Sequence, residues 1–298
     1  MNGVIVINKQ KDFTSFDVVA VARGILREKK IGHSGTLDPM ATGVLPILIG
    51  RAAKAQSLLP DTDKEYTAQF RLGMTTDTLD ITGTVLTETE CHIAKNEIEE
   101  VLPRFRGDIM QIPPMYSAVQ KDGVRLYDLA RQGIEVERQA RPVCIDTLEL
   151  MDYDETTQTG SLRISCSKGT YIRVICDDIG KALGCGCVMT DLCRTKACGF
   201  TLKDAVTLKQ LEQIKNEGRL DDVIRPTDSI FTCFKPVYIS EKQAVRFSNG
   251  AALDLGRVKK LAIKENPTLY RVYGGQKFLG LGITDPEKNE LMVKKLFF

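Results

Sequence analysis

The order of apolar and polar residues along the chain alternates between strand-like and helix-like segments. Apolar side chains occupy every second position of residues 66–72, and this period of two predicts a strand with one buried face. Between Phe16 and Leu26 the apolar positions instead recur at helical spacing, directly after Thr14-Ser15, a pair suited to cap a helix. Both kinds of secondary structure are therefore expected in one chain.

The same patterns predict further elements along the chain. Strands are expected at residues 3–7, 83–86, 143–153, 161–167, 236–239, 269–273 and 278–283, and helices at 94–105, 170–183 and 208–214. The strands alternate in polarity and follow no regular βαβ order, which favours antiparallel pairing. We therefore predict an α+β fold with a mixed, mainly antiparallel sheet flanked by helices. A composition change near residue 236 predicts two domains, 1–236 and a small β-rich 237–298.

Composition narrows the class of protein. The 298 residues are 43% hydrophobic and 27% charged, which is ordinary globular usage. No apolar run approaches the roughly 20 residues that a membrane-spanning helix needs. The first residues show neither the basic nor the apolar region of a secretion signal, so a cytoplasmic location and no membrane partner are expected.

Charge is unevenly distributed although the net charge is only +2. Residues 1–60 carry 8 basic and 4 acidic side chains, residues 61–236 carry 22 and 29, and residues 237–298 carry 11 and 6. Two basic ends around an acidic middle could hold a polyanion, or they could be ordinary solvated faces. Residues 112–142 form a long segment with weak periodicity and several basic side chains, which is typical of a binding loop.

Cysteine and histidine usage offers little for a metal site. The nine cysteines cannot all pair with one another, and in a chain without an export signal they are expected to be reduced. Cys185, Cys187, Cys193 and Cys198 form a cluster in the sequence, but its spacing fits a zinc site poorly. We therefore expect packed cysteines, and keep a metal or redox protein as an alternative that elemental analysis would test.

Asp38 stands in a loop, residues 32–43, that contains three glycines and one proline. Two interpretations are open from the spacing alone. An aspartate followed by proline is a common helix start, with Pro39 at the first helical position. Alternatively, Asp38 is a carboxylate nucleophile of the kind that acts at glycosyl centres.

Five ordered segments resemble the bacterial tRNA pseudouridine-55 synthase (TruB) family. They are residues 32–45 (GHSGTLDPMATGVL), 63–66 (DKEY) with 76–80 (TDTLD), 113–118 (PPMYSA), 167–173 (SKGTYIR) and 192–195 (LCRT). The resemblance implies a pseudouridine synthase sheet in residues 1–236 with an RNA-binding insertion near 112–142. Residues 237–298 are similar, more weakly, to a PUA-like RNA-binding domain.

The resemblance also implies roles for single residues. Asp38 is the catalytic aspartate, which attacks C1′ or C6 of the target uridine or supports a glycal route, and Arg173 pairs with it. Tyr66 stacks on the target base and is a candidate for handling the C5 proton, while Tyr171 and Leu192 line the uracil pocket. His33 helps to displace the flipped nucleotide.

Each residue alone also has a purely structural interpretation. Tyr66 could be a core tyrosine, Arg173 could form a helix pair with Asp177, and His33 could be a hydrogen-bonding loop residue. One segment departs from the family pattern: Lys-Pro-x-Gly is replaced by Lys9-Gln10-Lys11-Asp12. The stiffness of that turn is therefore in question.

The implied function is isomerisation of uridine 55 in the T loop of tRNA, by a monomer that needs no cofactor, metal or protein partner. Two alternatives keep the same scaffold. One is a non-catalytic protein that binds or folds tRNA, and the other is a synthase that acts on another RNA or needs a guide.

Overall fold

The computed structural model describes residues 1–59, 64–258 and 265–298 of the chain. Its helices are α1 (Ser15–Leu26), α2 (Lys95–Val101), α3 (Leu126–Arg131), α4 (Ile172–Leu183), α5 (Leu208–Asn216) and α6 (Glu241–Ser248). Longer 3₁₀ segments lie at Gly50–Leu58, Leu102–Phe105 and Thr227–Phe231. Within the described ranges no helix combines the length and apolar character that crossing a membrane requires.

The strands of these ranges form two larger sheets and two short hairpins. In chain order they are β1 (Gly3–Lys9), β2 (Ile31–His33), β3 (Thr42–Ile49), β4 (Lys64–Leu72), β5 (Met74–Thr76), β6 (Val85–Glu88), β7 (Gly107–Gln111), β8 (Gln120–Lys121), β9 (Val124–Arg125), β10 (Arg141–Asp154), β11 (Thr159–Cys166), β12 (Cys187–Ala197), β13 (Phe200–Thr201), β14 (Lys235–Ile239), β15 (Leu253–Asp254), β16 (Leu269–Gly274), β17 (Lys277–Asp285) and β18 (Glu290–Leu296).

The larger sheet of the described residues has nine strands. Seven follow the order β1-β3-β12-β4-β11-β10-β7, while β2 pairs with β3 and β13 pairs with β12. Every pairing in this sheet is antiparallel except that of β3 with β12, which run parallel at Thr42 and Cys193. The predicted α+β class with a mixed, mainly antiparallel sheet is confirmed.

The alternation in β4 has the predicted consequence. Tyr66, Ala68, Phe70 and Leu72 are each at most 6% exposed and belong to one core with residues of α4. Burial of apolar side chains is worth about 25 cal/mol per Å² of surface removed from water, so this pattern fixes which face of the strand turns inward. The register of β4 therefore sets which residues reach the neighbouring strands at the site.

Helix α1 begins where it was predicted, but one residue of its expected apolar face is exposed. Thr14 caps the helix and forms a reciprocal capping box with Asp17. The prediction that Phe16 faces the core is wrong, because Phe16 is 62% exposed. Its ring instead lies 5.6 Å from the guanidinium of Arg23, at a distance suited to a cation–π contact.

Strand β12 was not predicted, although it lies between β3 and β4 near the middle of the sheet. Its cysteines suggested possible metal ligands and not a strand. Cys187 and Cys193 both lie within β12, and Cys187 is fully buried. In the described part of the chain, no three or more His, Cys, Asp or Glu side chains form a group that could hold a metal ion.

A second sheet lies near the C-terminus, in the order β14-β16-β17-β18-β15. Leu281 and Phe297 of this region share a hydrophobic cluster with Val4 and Leu48 of the larger sheet. The predicted β-rich character of the C-terminal region is confirmed. Its division from the first domain at residue 236, and its likeness to a PUA domain, stay predictions.

The segment 112–142 contains short regular elements. Strands β8 and β9 form a hairpin, and α3 follows directly. We call residues 112–140, which lie between β7 and β10, the insertion.

Candidate active site

The carboxylate of Asp38 is held by the guanidinium of Arg173. Arg173 Nε donates to Asp38 Oδ2 at 2.9 Å, and the two side chains are 5% and 36% exposed respectively. Asp38 lies in the loop between β2 and β3, and Arg173 lies in the first turn of α4. A buried cation therefore orients a carboxylate that solvent, and so a substrate, can reach.

The structural alternatives for this pair are wrong. No helix begins at Pro39; the chain forms a turn in which the amide of Ala41 donates to the carbonyl of Asp38 at 3.1 Å. Asp177 does not pair with Arg173, because its carboxylate lies 2.6 Å from Lys181 Nζ. Thr170, at the start of the predicted helix 170–183, lies before α4, and its hydroxyl donates to the carbonyl of Ser167.

Three further groups fix the orientation of Arg173. Its Nη1 donates to the carbonyl of Thr78 at 2.7 Å, and its Nη2 donates to the carbonyl of Tyr116 at 3.0 Å. Asp80 Oδ2 lies 3.7 Å from Nε, and Asp80 is itself 5% exposed. The planar guanidinium thus meets partners from three segments of the chain, which leaves it little freedom to turn away from Asp38.

Asp80 has a second role that the sequence did not reveal. It binds its own turn: Oδ1 accepts hydrogen bonds from the hydroxyl of Thr78 at 2.9 Å and from the amide of Thr82 at 3.0 Å. Its other oxygen faces Arg173. Asp80 therefore provides a buried negative charge next to a buried guanidinium, in addition to the charge of Asp38.

The turn at residues 9–12, which departs from the family pattern, supports the loop that contains Asp38. Lys9 is fully buried, and its Nζ donates to the carbonyls of Pro39 and Gln10 at 3.0 Å each and to that of Phe13. Burial lowers the pKa of Lys9 to about 8, although the charge of Asp38 acts in the opposite direction. The amide of Asp12 also donates to the carbonyl of Pro39, at 2.9 Å. Lys9 Nζ and the Asp12 amide thus both bind the carbonyl of Pro39, the residue that follows Asp38.

Replacing Asp12 by glycine should stabilise the protein. Asp12 has φ of +65°, a left-handed conformation that glycine adopts without a steric cost. Relief of the left-handed backbone, worth about 1–2 kcal/mol, outweighs the roughly 0.5–1 kcal/mol of extra chain entropy that glycine loses on folding, so the free energy of unfolding should rise by about 0.5–1 kcal/mol, measured by urea denaturation. Asp12→Ala is the matched control and should lower stability, since alanine brings a Cβ without a polar side chain. Equal effects of the two variants would contradict this account of the turn.

Arg194 also holds the loop that contains Asp38. It is fully buried on β12, where its Nε donates to the carbonyl of Val44 at 2.7 Å and its Nη2 to that of Gly35 at 3.2 Å. Gly43 has φ of +103°, and a Cβ there would lie 2.3 Å from the carbonyl oxygen of Arg194. Only glycine allows β3 to approach β12 this closely.

Tyr66 lies directly opposite Arg194 in the pairing of β4 with β12. Burial raises the pKa of Tyr66, while the nearby charge of Arg194 opposes that rise. The hydroxyl is therefore protonated at neutral pH. Leu192 lies two residues before Arg194 on the same strand, opposite Ala68, and is 5% exposed.

Tyr171 and His33 are the remaining residues to which the resemblance assigns a role. Tyr171 occupies the position before the first turn of α4, and burial raises its pKa. The negative charge of Asp38 contributes to the raised pKa of both Tyr66 and Tyr171, so both phenols lie within electrostatic range of one carboxylate. His33 ends β2; burial lowers its pKa, and its Nδ1 is buried without a hydrogen-bond partner among the residues described.

Two residues of the site had no role assigned from the sequence. Arg194 lies within the last of the five motifs, where the resemblance implies a role only for Leu192, and Asp80 lies within the second. A single buried arginine in a central strand does not show in the hydrophobic pattern of the sequence. Only the motif could therefore have indicated its role. Asp63, the first residue of the second motif, lies outside the described residues.

Comparisons with known families and proteins find relatives over most of the chain. The model of the TruB family pseudouridylate synthase N-terminal domain matches residues 23–172, and that of the tRNA pseudouridylate synthase B C-terminal domain matches residues 173–232. The chain is 40% identical over 284 residues to tRNA pseudouridine synthase B of Clostridium kluyveri, covering 95% of this chain and 96% of that protein. It is 45% identical over 256 residues to the Pseudomonas putida protein of the same name, covering 85% and 83%.

A solved structure shows the same architecture. A chain in the crystal structure of a Cbf5-Nop10-Gar1 complex superposes with a TM-score of 0.79 at 27% identity, covering 99% of this chain and 85% of that chain. The chain belongs to the TruB family of pseudouridylate synthases.

Proposed function

We propose that this chain isomerises uridine to pseudouridine at position 55 in the T loop of tRNA. The observation that carries the proposal is the contact of Asp38 with Arg173, in which a buried guanidinium orients a partly exposed carboxylate. The relatives named tRNA pseudouridine synthase B support the choice of tRNA as substrate.

The reaction needs one bond broken and one bond formed within the same nucleotide. The N1–C1′ bond of the uridine breaks, the uracil turns while it stays bound, and a C5–C1′ bond forms. The C5 proton leaves, and N1 ends the reaction with a proton. Asp38 is proposed as the nucleophile that bridges these steps, through attack at C1′ or C6 or by supporting a glycal. Atoms balance without any redox partner.

The aromatic residues have matching roles in the proposal. Tyr66 stacks on the uracil, and Tyr171 and Leu192 line its pocket. The raised pKa of Tyr66 keeps its hydroxyl protonated at neutral pH, which weighs against a phenolate base for the C5 proton. His33, at the end of β2, is proposed to take part in displacing the flipped nucleotide.

A T loop is a suitable target for such a site. A base inside a stack must be extruded at a cost of a few kcal/mol before chemistry can occur. Folded RNA loops present unpaired bases, which proteins recognise by shape and by stacking. The insertion carries suitable groups: the guanidinium carbons of Arg125 and Arg131 lie 5.7 and 5.4 Å from the ring centre of Tyr127. We propose that the insertion closes over the RNA.

Reversing the charge of Arg125 and Arg131 together should weaken tRNA binding and reduce its salt dependence. Each phosphate contact that is lost lowers the slope of log K against log salt by about 0.7–0.9. We therefore expect the slope to fall by roughly 1.5 in filter-binding titrations over a salt series. Lys203→Glu with Lys209→Glu is the matched control at exposed sites outside the insertion. An unchanged slope in the Arg125/Arg131 variant would remove the insertion from the RNA interface.

Several broader features belong to the same proposal. We propose that the chain acts as a cytoplasmic monomer without a cofactor or protein partner, and that residues 237–298 form a PUA-like domain that holds another part of the tRNA. Sedimentation of the purified chain with and without tRNA tests the monomer.

The deciding experiment uses unmodified tRNA transcribed with tritium at C5 of uridine. The protein should release close to one equivalent of tritium per tRNA. A transcript with cytidine at position 55 should release none. Release from the second transcript would place the activity at another uridine, and binding without release from either would favour a non-catalytic RNA-binding protein.

A further inference from the structure

The insertion leaves and rejoins the larger sheet at one pair of residues. Gln111 ends β7, Arg141 begins β10, and the two face each other in the antiparallel pairing of these strands. The insertion that is proposed to close over RNA therefore has its root at a fixed point of the sheet.

The side chain of Gln111 does not point into solvent at this root. It is 3% exposed, and it forms hydrogen bonds to both the amide and the carbonyl of Tyr171. Gln111 Oε1 accepts from the amide of Tyr171 at 2.8 Å, and Gln111 Nε2 donates to the carbonyl of Tyr171 at 3.2 Å. Tyr171 has no side-chain cap to offer to α4. Gln111 gives the Tyr171 amide its partner at this helix start, and it gives the Tyr171 carbonyl a third donor beside the amides of Val174 and Ile175.

A second contact joins the root of the insertion to the same helix. The carbonyl of Tyr116, five residues further along, accepts from Arg173 Nη2 at 3.0 Å. The hydroxyl of Tyr116 also lies 3.4 Å from Asp77 Oδ2, in the segment whose Thr78 carbonyl binds Arg173. Gln111 thus contacts Tyr171, and Tyr116 contacts Arg173. The proposed function uses both of these residues at the start of α4.

We propose that Gln111 is a positioning residue for the isomerisation: by holding the main chain of Tyr171 it fixes the start of α4, so that Arg173 meets Asp38 in the reactive geometry. The root of the insertion is then part of the active site, and the remainder of the insertion serves RNA binding. This inference rests on the proposed function for its kinetic consequence, but its structural consequence can be measured without activity.

The chain contains a matched control. Gln158 is also buried, at 8% exposed, and it holds the main chain of Ile93 in the same way. Its Oε1 accepts from the amide of Ile93 at 2.9 Å, and its Nε2 donates to the carbonyl of Ile93 at 3.2 Å. Gln158 lies in the turn between β10 and β11, and its side-chain hydrogen bonds go to Cys91, Ile93 and Glu155 instead of to α4, Asp38 or the insertion. Gln158→Met therefore removes the same kind of main-chain pair as Gln111→Met, together with two further contacts, to Cys91 and Glu155.

The test compares Gln111→Met with Gln158→Met, since methionine preserves length without the amide. In the tritium-release assay, Gln111→Met should lower kcat by roughly 10- to 100-fold, because small displacements of reacting groups have effects of this size. KM for tRNA should stay within about threefold, since the RNA-binding part of the insertion is unchanged. Gln158→Met should keep kcat within about twofold of wild type while its melting temperature falls. A purely structural role predicts equal kinetic effects in both variants and would overturn the proposal.

Amide hydrogen exchange tests the positioning itself. Gln111→Met should increase exchange at the amide of Tyr171 and at that of Ile175, which donates to the Tyr171 carbonyl at 3.3 Å. Gln158→Met should increase exchange at Ile93 only. Unchanged exchange at Tyr171 would overturn the inference even if kcat fell. If wild type itself released no tritium, the proposed function would fail while the exchange result still decided the structural claim. If Gln111→Met does not fold, Gln111→Glu serves instead: it keeps the acceptor for the Tyr171 amide and loses the donor to the Tyr171 carbonyl, so kcat should again fall while the Tyr171 amide stays protected.

Discussion

Asp38→Asn should abolish tritium release while leaving tRNA binding nearly intact. Asparagine matches aspartate in shape but cannot act as a carboxylate nucleophile. We expect the single-turnover rate to fall by at least roughly 10⁴-fold, the scale seen when a covalent nucleophile is removed. The dissociation constant for tRNA should stay within about threefold, because one partly exposed side chain contributes little to a large RNA interface.

The control for this variant is an exposed aspartate outside the site. Asp154→Asn changes a residue that only caps its own turn, through Thr156 and Thr157, so its rate should match that of wild type. Residual activity of Asp38→Asn above about 1% would contradict the nucleophile role, after deamidation of the new asparagine has been excluded by mass spectrometry.

Several elements were predictable because local rules and tertiary packing agree there. The alternation in β4 and the capping of α1 by Thr14 both follow from residues adjacent in sequence. The loop of Asp38 was identifiable from its glycines and from its motif. Phe16 shows the limit of periodicity, because a residue in the first turn of a helix can satisfy the pattern and still face solvent.

The parts that could not be predicted depend on contacts between distant segments. Strand β12 joins residues of the second half of the chain to β3 and β4, and its parallel contact with β3 has no local signature. Gln111 and Arg194 act on the site through the main chain of Tyr171 and of Gly35, far away in sequence. A polar side chain that binds backbone leaves no trace in hydrophobic periodicity, because its function depends on where the partner folds.

The role of Arg173 can be separated from its contribution to stability. Arg173→Met removes the partner of Asp38, leaves the carbonyls of Thr78 and Tyr116 without their donor, and leaves Asp80 as a buried charge without its cation. We expect a loss of about 3–5 kcal/mol in the free energy of unfolding, which is the usual cost of breaking a buried ion pair. We also expect the single-turnover rate to fall by roughly 10²- to 10³-fold, as for a lost electrostatic contact at a reacting group.

Adding Asp80→Asn to Arg173→Met should then recover part of the stability and none of the activity. The amide oxygen of asparagine can still accept from Thr78 and Thr82, while the uncompensated buried charge is gone. Urea denaturation of both single variants and the double variant gives the coupling between Arg173 and Asp80, which residues in contact should show at about 0.5–3 kcal/mol. Because Asp38 is the only residue proposed to react, adding Asp80→Asn should raise the free energy of unfolding but leave the single-turnover rate unchanged. A double variant that regained activity along with stability would mean that Arg173 serves the fold rather than the carboxylate.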